Sequence, residues 1–285
     1  MGAWDEWRIA HPGLAAEEFI TEVYESDGVS AAALWPLLLR FIAYRLANPL
    51  TRFYPHEGRV SHSSDTVQVA SVCSAHEVWW REFLHLAARG DAVTVVTTNW
   101  DILAERALRP EPQQRPPRPG FHYGWGPERL RASSGFPMSV WRRDPWIRGS
   151  IPILKLHGSL NWALEGDSTV KYGDCRPAFR GDAAIVPPVR NKLCPSWAER
   201  IWELAREAIR RAELLIIVGY SIPEYDRSTR SLLQECLAAS APRVHVFDPS
   251  WVVVQQRLLT MVPGLRVHGH PGLPEGTSEL PMAFT

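Results

Sequence analysis

The sequence predicts an α/β protein in which a mostly parallel sheet is flanked by helices. Three observations carry this. Short runs that are apolar on both faces, such as Ala92–Thr97 and Leu214–Val218, suit strands covered on both sides. Amphipathic stretches, clearest at Ser196–Ala212, carry the spacing of a buried helical stripe. The two kinds alternate along the chain, which is the pattern of β–α units in a parallel sheet.

The elements follow in order. Residues 1–90 form a helical portion: Leu14–Tyr24, Ala31–Ala47 and Ala75–Arg89 each place apolar residues three and four apart, and Gly90 ends the last of them. Asn48–Ser64, with Pro49 and Pro55, is a loop. Ala92–Thr97 is the first strand, and Ile102–Leu108 resumes helical spacing. An inserted loop-rich segment follows, with five prolines between Arg109 and Pro119 and a run from Gly120 to Gly149 rich in Gly, Trp and Arg. Ile151–Leu156 is a second buried strand, stopping at His157-Gly158-Ser159, and Ala183–Val186 a weaker one. Ser196 can cap the Ser196–Ala212 helix, with Glu199 completing a capping box. Leu214–Val218 is a third buried strand, Asp226–Leu237 a helix and Arg243–Phe247 a fourth strand. Trp251–Leu259 is helical, and Leu265–His268 is a last edge strand. The four buried strands are expected to be parallel neighbours in one sheet. A single domain over residues 1–285, with its α/β core over 91–270, is the economical organisation.

Composition narrows the function classes. In 285 residues, Lys+Arg and Asp+Glu are equal at 31 each, so no strong nucleic-acid binding through a basic field is expected. The longest apolar run, Ala31–Leu39, contains Pro36 and is far shorter than the roughly 20 residues of a membrane helix. No basic-then-apolar leader opens the sequence. Cys73, Cys175, Cys194 and Cys236 contain no C-x-x-C pair, so no zinc site is expected, and reduced thiols in a cytoplasmic protein are the plain reading.

Ligands of open parallel sheets bind beyond the carboxyl ends of the strands. The polar residues there are Thr97, Thr98, Asn99 and Asp101; His157, Gly158 and Ser159; Gly219, Tyr220 and Ser221; and Asp248. Glycines admit a ligand to backbone N–H groups, hydroxyls and amides hold sugar and phosphate oxygens, and an acid accepts from ribose hydroxyls. Each has a structural alternative. Asp101 could cap a helix, His157 could be a satisfied strand-end histidine, Gly219 a tight turn, and Asp248-Pro249 a turn opener.

Three segments in order, Thr97-Thr98-Asn99-Trp100-Asp101, Lys155-Leu156-His157-Gly158-Ser159 and Val218-Gly219-Tyr220-Ser221-Ile222-Pro223-Glu224-Tyr225-Asp226, resemble sirtuin-like NAD-binding proteins. The match is closest to the prokaryotic branch often found in antiviral defence. Ile185-Val186-Pro187-Pro188 with Lys192 also resembles that branch, and the likeness covers roughly residues 90 to 250. It implies a Rossmann-like fold that binds NAD and hydrolyses its nicotinamide–ribose bond through an oxocarbenium-like state. The resemblance places Asn99 at the water or hydroxyl near the anomeric carbon, Asp101 at the nicotinamide end and His157 as general base. Thr97, Thr98, Gly158, Gly219 and Ser221 would line the nucleotide, and Asp248 would meet the adenosine ribose.

Two departures qualify these expectations. The zinc-dependent deacylases of the family carry two C-x-x-C pairs, absent here. The family also opens on a strand and a Gly-Ala-Gly phosphate loop, and nothing before Thr97 resembles it. Either the chain begins late or it is a degenerate member, and without that loop a pyrophosphate loses its main backbone cradle. A non-catalytic module that keeps the fold and contacts a protein partner, or a second copy, is the alternative function.

Overall fold

A computed structural model describes residues 89–101, 121–124, 130–132, 151–165, 169–172, 182–186 and 194–272, with single positions elsewhere between 9 and 108. Most of the helical portion, most of the inserted segment, and Cys73 and Cys175 lie outside the described residues. The positions described between 9 and 87 are in helical conformation, as the apolar spacing predicts.

The core is α/β. Its strands are β1 (Val95–Thr97), β2 (Phe121–His122), β3 (Leu130–Ala132), β4 (Ile151–Lys155), β5 (Gly158–Glu165), β6 (Thr169–Tyr172), β7 (Asp182–Ile185), β8 (Leu214–Val218), β9 (Arg243–Phe247) and β10 (Val267–His270). Its helices among the described residues are α1 (Glu199–Arg211), α2 (Arg227–Ser240) and α3 (Trp251–Met261).

Hydrogen bonding divides the strands into three groups: β1-β4-β2, all parallel; β10-β9-β8, all parallel; and a mixed sheet β3-β6-β5-β7. The expectation of one continuous sheet is therefore corrected. Among the described residues, β1 pairs only with β4 and β8 only with β9. Two buried faces tell where a strand lies in the layers, but not which strand bonds to its edge.

One apolar cluster nevertheless runs through both parallel groups, joining Ile151, Ile153 and Leu154 of β4 to Ile217 of β8 and Val244 and Val246 of β9. Helix α1 bridges them. It packs on β4 and on α2, burying Ile201, Ala205 and Ile209, while α3 covers β9 and β10 with Val254 and Leu258. Close approach dictates one residue here: a Cβ on Gly269 would enter the Trp251 ring at 1.8 Å.

The α1 cap differs from expectation. The helix begins at Glu199, Ala198 occupies the cap position, and no side chain caps it. Residues 196–198 form a turn in which the Ala198 N–H donates to the Pro195 carbonyl at 2.8 Å. Burial of Trp197 and Ala198 in the core sets that turn, so packing overrides the local capping preference.

Strands β2, β3, β5 and β6 lie outside the expected elements. Strand β5 is the informative one, because β4 does not end the ladder at His157. The chain turns at Leu156-His157 and continues as β5, which pairs antiparallel with β6 and β7. Ser159 and Asn161 alternate with Leu160 and Trp162 along it, but all four are buried, so the polar positions do not mark a solvent face.

Candidate functional site

The β4–β5 corner places His157. It exists because Gly158 adopts φ +79°, in the left-handed region that favours glycine. A Cβ there would lie 1.9 Å from the Ala184 carbonyl oxygen of β7. Gly158 thus serves backbone packing between β5 and β7.

The segment after β1 is stitched to this corner. The Leu156 N–H donates to the Thr97 carbonyl at 2.9 Å, and the Leu160 N–H to the Trp100 carbonyl at 2.9 Å. Ser159 Oγ reaches the same Trp100 carbonyl at 3.4 Å, and Lys155 Nζ donates to the Asp101 carbonyl. Thr97 Oγ1 accepts from the Asn99 N–H at 3.0 Å, closing a local turn that leaves Asn99 exposed. The structure therefore joins Thr97–Asp101 to Lys155–Leu160, as parallel pairing of β1 and β4 requires.

His157 is 7% exposed. Its Nε2 lies 3.6 Å from Asp226 Oδ1, and its ring centroid is 6.3 Å from that of Trp202 on α1. Trp202 is itself pinned by an Nε1–H bond to the Leu156 carbonyl at 3.0 Å. Asp226 Oδ2 accepts from the Tyr220 hydroxyl at 2.8 Å. Burial, followed by the Asp226 carboxylate, pushes the Tyr220 phenol far above its ordinary range, so it remains a hydrogen-bond donor at neutral pH.

Asp226 is the member of this cluster that reading strand ends overlooks, whereas Tyr220 stands among the strand-end residues. Asp226 occupies the cap position of α2, where a carboxylate ordinarily bonds to the helix N–H groups. Here its side chain makes no capping bond and turns to Tyr220 and His157 instead. The sequence signal was present in Tyr220–Asp226, a tyrosine and an acid flanking Pro223, but Asp226 was read as the first residue of the Asp226–Leu237 helix.

The loop after β8 carries Gly219 at φ +61° and the buried Ile222 at φ +54°. A β-branched residue in that region is strained. The loop is held from three sides: the Gly219 N–H bonds to the Phe247 carbonyl at 3.1 Å, Arg257 to the Ser221 carbonyl at 2.6 Å, and Arg230 to the Ile222 carbonyl at 3.3 Å. Among the described residues nothing lies within 4 Å of a Cβ built on Gly219, and Ser221 is exposed, so this face offers room for a ligand. Asp248 behaves as a turn opener. Its Oδ1 accepts from the Ser250 N–H at 2.7 Å, and its carbonyl from the Trp251 N–H at 3.0 Å, at the start of α3.

The structure thus links Thr97–Asp101 to the His157 corner, and His157 to the start of α2 after the Gly219–Asp226 loop. Asp248 stands at the end of β9, beside β10, where its N–H meets the His270 carbonyl at 3.1 Å. Among the described residues no group of His, Cys, Asp or Glu is arranged to hold a metal ion, and no helix is long and apolar enough to cross a membrane.

No curated protein matches the chain. A family model described as a SIR2-like domain matches residues 93–261, more than half of the chain and the stretch that carries β1, the His157 corner, the Gly219–Asp226 loop and α3. The chain belongs to the SIR2-like domain family.

Proposed function

We propose that this protein binds NAD and hydrolyses its nicotinamide–ribose bond, as a cytoplasmic enzyme of the prokaryotic defence type that the sequence resembles. The observation that carries the reading is the His157–Asp226–Tyr220 constellation beside the Thr97–Asp101 segment. It sets a histidine with a carboxylate partner at the carboxyl ends of parallel strands. The residues present fit a dinucleotide. Gly219 and Ser221 offer an open, partly backbone-lined surface to sugar and phosphate, and exposed Asn99 offers an amide at the reacting end.

In this reading Asn99 holds the attacking water and Asp101 supports the nicotinamide end. Thr97, Thr98, Gly219 and Ser221 line the nucleotide, and Asp248 faces the adenosine ribose with the oxygen that its turn leaves available. The C–N bond breaks with its electron pair leaving on nicotinamide, the water oxygen bonds to the anomeric carbon, and the water's proton passes to His157. Asp226 stabilises the imidazolium so formed, and Tyr220 holds Asp226 in place. Positioning and one base supply the catalysis.

Nicotinamide release from NAD tests this. The chain is expected to release nicotinamide from NAD, and His157→Ala should abolish that release. Equal background from the two proteins overturns the reading. The second reading, a non-catalytic module for a protein partner or a second copy, is favoured by the burial of His157 against Trp202 and Asp226.

A further inference from the structure

Beneath the candidate site lies a polar network that the proposed chemistry does not use. Lys155 and Glu105 are 1% and 0% exposed, and Nζ meets Oε1 at 2.9 Å. The Tyr123 hydroxyl donates to the same Oε1 at 3.1 Å, and Asn161 Nδ2 donates to the Tyr123 oxygen at 3.1 Å. These residues come from β4, β5 and the segments that follow β1 and β2. Among the described residues, Glu105 Oε2 and Asn161 Oδ1 are buried with no hydrogen-bond partner.

Such a network is a poor way to gain stability. Desolvating two charges offsets most of their attraction, and apolar side chains of similar volume commonly do as well or better. Two buried oxygens without partners add to the cost. What the network does hold is one backbone group, the Asp101 carbonyl, which accepts from Lys155 Nζ. That carbonyl ends the exposed turn that presents Asn99. Further ties on this turn come from Leu156, Ser159 and Leu160, all on the His157 corner.

We infer that Lys155 is a positioning residue: steered by Glu105, its ammonium group clamps the Asp101 carbonyl and fixes the Asn99–Asp101 turn against the His157 corner. The inference rests on the NAD-cleaving reading of this site. Its consequence is specific. Loosening the clamp lets the water-holding amide drift relative to His157, and a displacement of about 1 Å costs roughly 10²-fold in rate. Thr97, Thr98 and Asp101 also meet the substrate in this reading, but the Gly219 and Ser221 side is untouched by the clamp, so kcat is expected to change far more than KM.

The experiment compares the full chain with Lys155→Met/Glu105→Gln, which removes both charges and keeps an acceptor for Tyr123. The expected result is a folded protein whose kcat falls by roughly 10²-fold while KM for NAD changes little. Amide hydrogen exchange should rise at residues 98–102 and remain unchanged in β8 and β9. A folded double variant with unchanged kcat and unchanged exchange overturns the inference. Should the double variant not fold, Glu105→Asp keeps both charges and retracts the carboxylate. It should show a smaller fall in kcat at constant KM with the same local rise in exchange, and no change in either overturns the inference. If the parent chain releases no nicotinamide, the reading of the site fails, and exchange alone decides the clamp. A rise confined to residues 98–102 supports it, and no rise overturns it.

Discussion

The two parallel strand groups use similar apolar strands and are held in different ways. In β1-β4-β2 the central strand buries a lysine, and an ion pair, a phenol and an amide tie the neighbouring segments to it. Its flanking strands are two and three residues long. In β8-β9-β10 the strands are four or five residues long and their cover is apolar, from Val254 and Leu258 of α3. The first group is specified by a few directional contacts, the second by many non-directional ones. On the proposed NAD-cleaving reading, the first group must hold reacting groups in register, which calls for directional contacts, and the second need only be stable.

The largest expected effect would break this comparison if it failed. Lys155→Met alone leaves Glu105 as an uncompensated buried charge and should cost about 3–5 kcal/mol in denaturant unfolding. Leu258→Ala, which only opens a cavity, should cost about 2–5 kcal/mol. The two differ in repair. A second change at Glu105 should restore most of the stability lost at Lys155, whereas Leu258→Ala should be additive with distant changes. A Lys155→Met protein as stable as the parent would show that the polar network bears nothing.

The glycines sharpen the same contrast. Gly158→Ala meets both a left-handed backbone and the Ala184 carbonyl, so strain and overpacking together should cost about 2–5 kcal/mol. Gly219→Ala meets only the backbone penalty of about 1–2 kcal/mol, since the space above it is open. It should weaken NAD binding more than it lowers the melting temperature. The reverse ranking of stabilities would overturn the account of the corner.

A smaller effect belongs to the second group. His245 and His270 are in contact, Nδ1 to Nε2, at 3.0 Å. Burial first, and then neighbouring histidines, hold both imidazoles below their ordinary value of 6.5. The folded state therefore favours the neutral rings, while the unfolded chain takes up protons as pH falls through about 6.5. Stability should be unaffected by these rings above that value and should decline below it until the lower folded-state values are passed. His270→Gln should flatten the decline in melting temperature measured across this range.

The smallest effect is a gain. Ala241 ends α2 at φ +44°, a left-handed position that glycine fills without strain. Ala241→Gly should stabilise by about 1 kcal/mol in thermal unfolding.

How much of this was legible depended on the range of the forces involved. Leu214–Val218 and Arg243–Phe247 have the bounds their apolar runs predict, although only Arg243–Phe247 is buried along most of its length, while Leu214–Val218 is largely half-buried and ends on exposed Val218. Helices α1, α2 and α3 follow their apolar spacing to within a few residues. Strand β5 was not legible, since its buried Ser159 and Asn161 read as loop residues until their contacts to Trp100 and Tyr123 are known. The positions of Thr97, Asn99, His157 and Gly219 at strand ends followed from topology alone. The role of Gly158 did not, because the carbonyl that excludes a side chain there belongs to Ala184, 26 residues away.

The sequence by itself determined the α/β class, the family motifs and which residues reach the carboxyl edge of the sheet. These rest on local propensity, hydrophobic period and the fixed hand of β–α units, all of which act between near neighbours. Only the tertiary structure decided that Asp226 abandons its helix for His157, that Lys155 holds a carbonyl 54 residues away, and that β1 and β8 bond to different partners. These are contacts between groups far apart in the chain. Burial favours partners for most polar groups, but the partner's identity depends on which segments the core brings together.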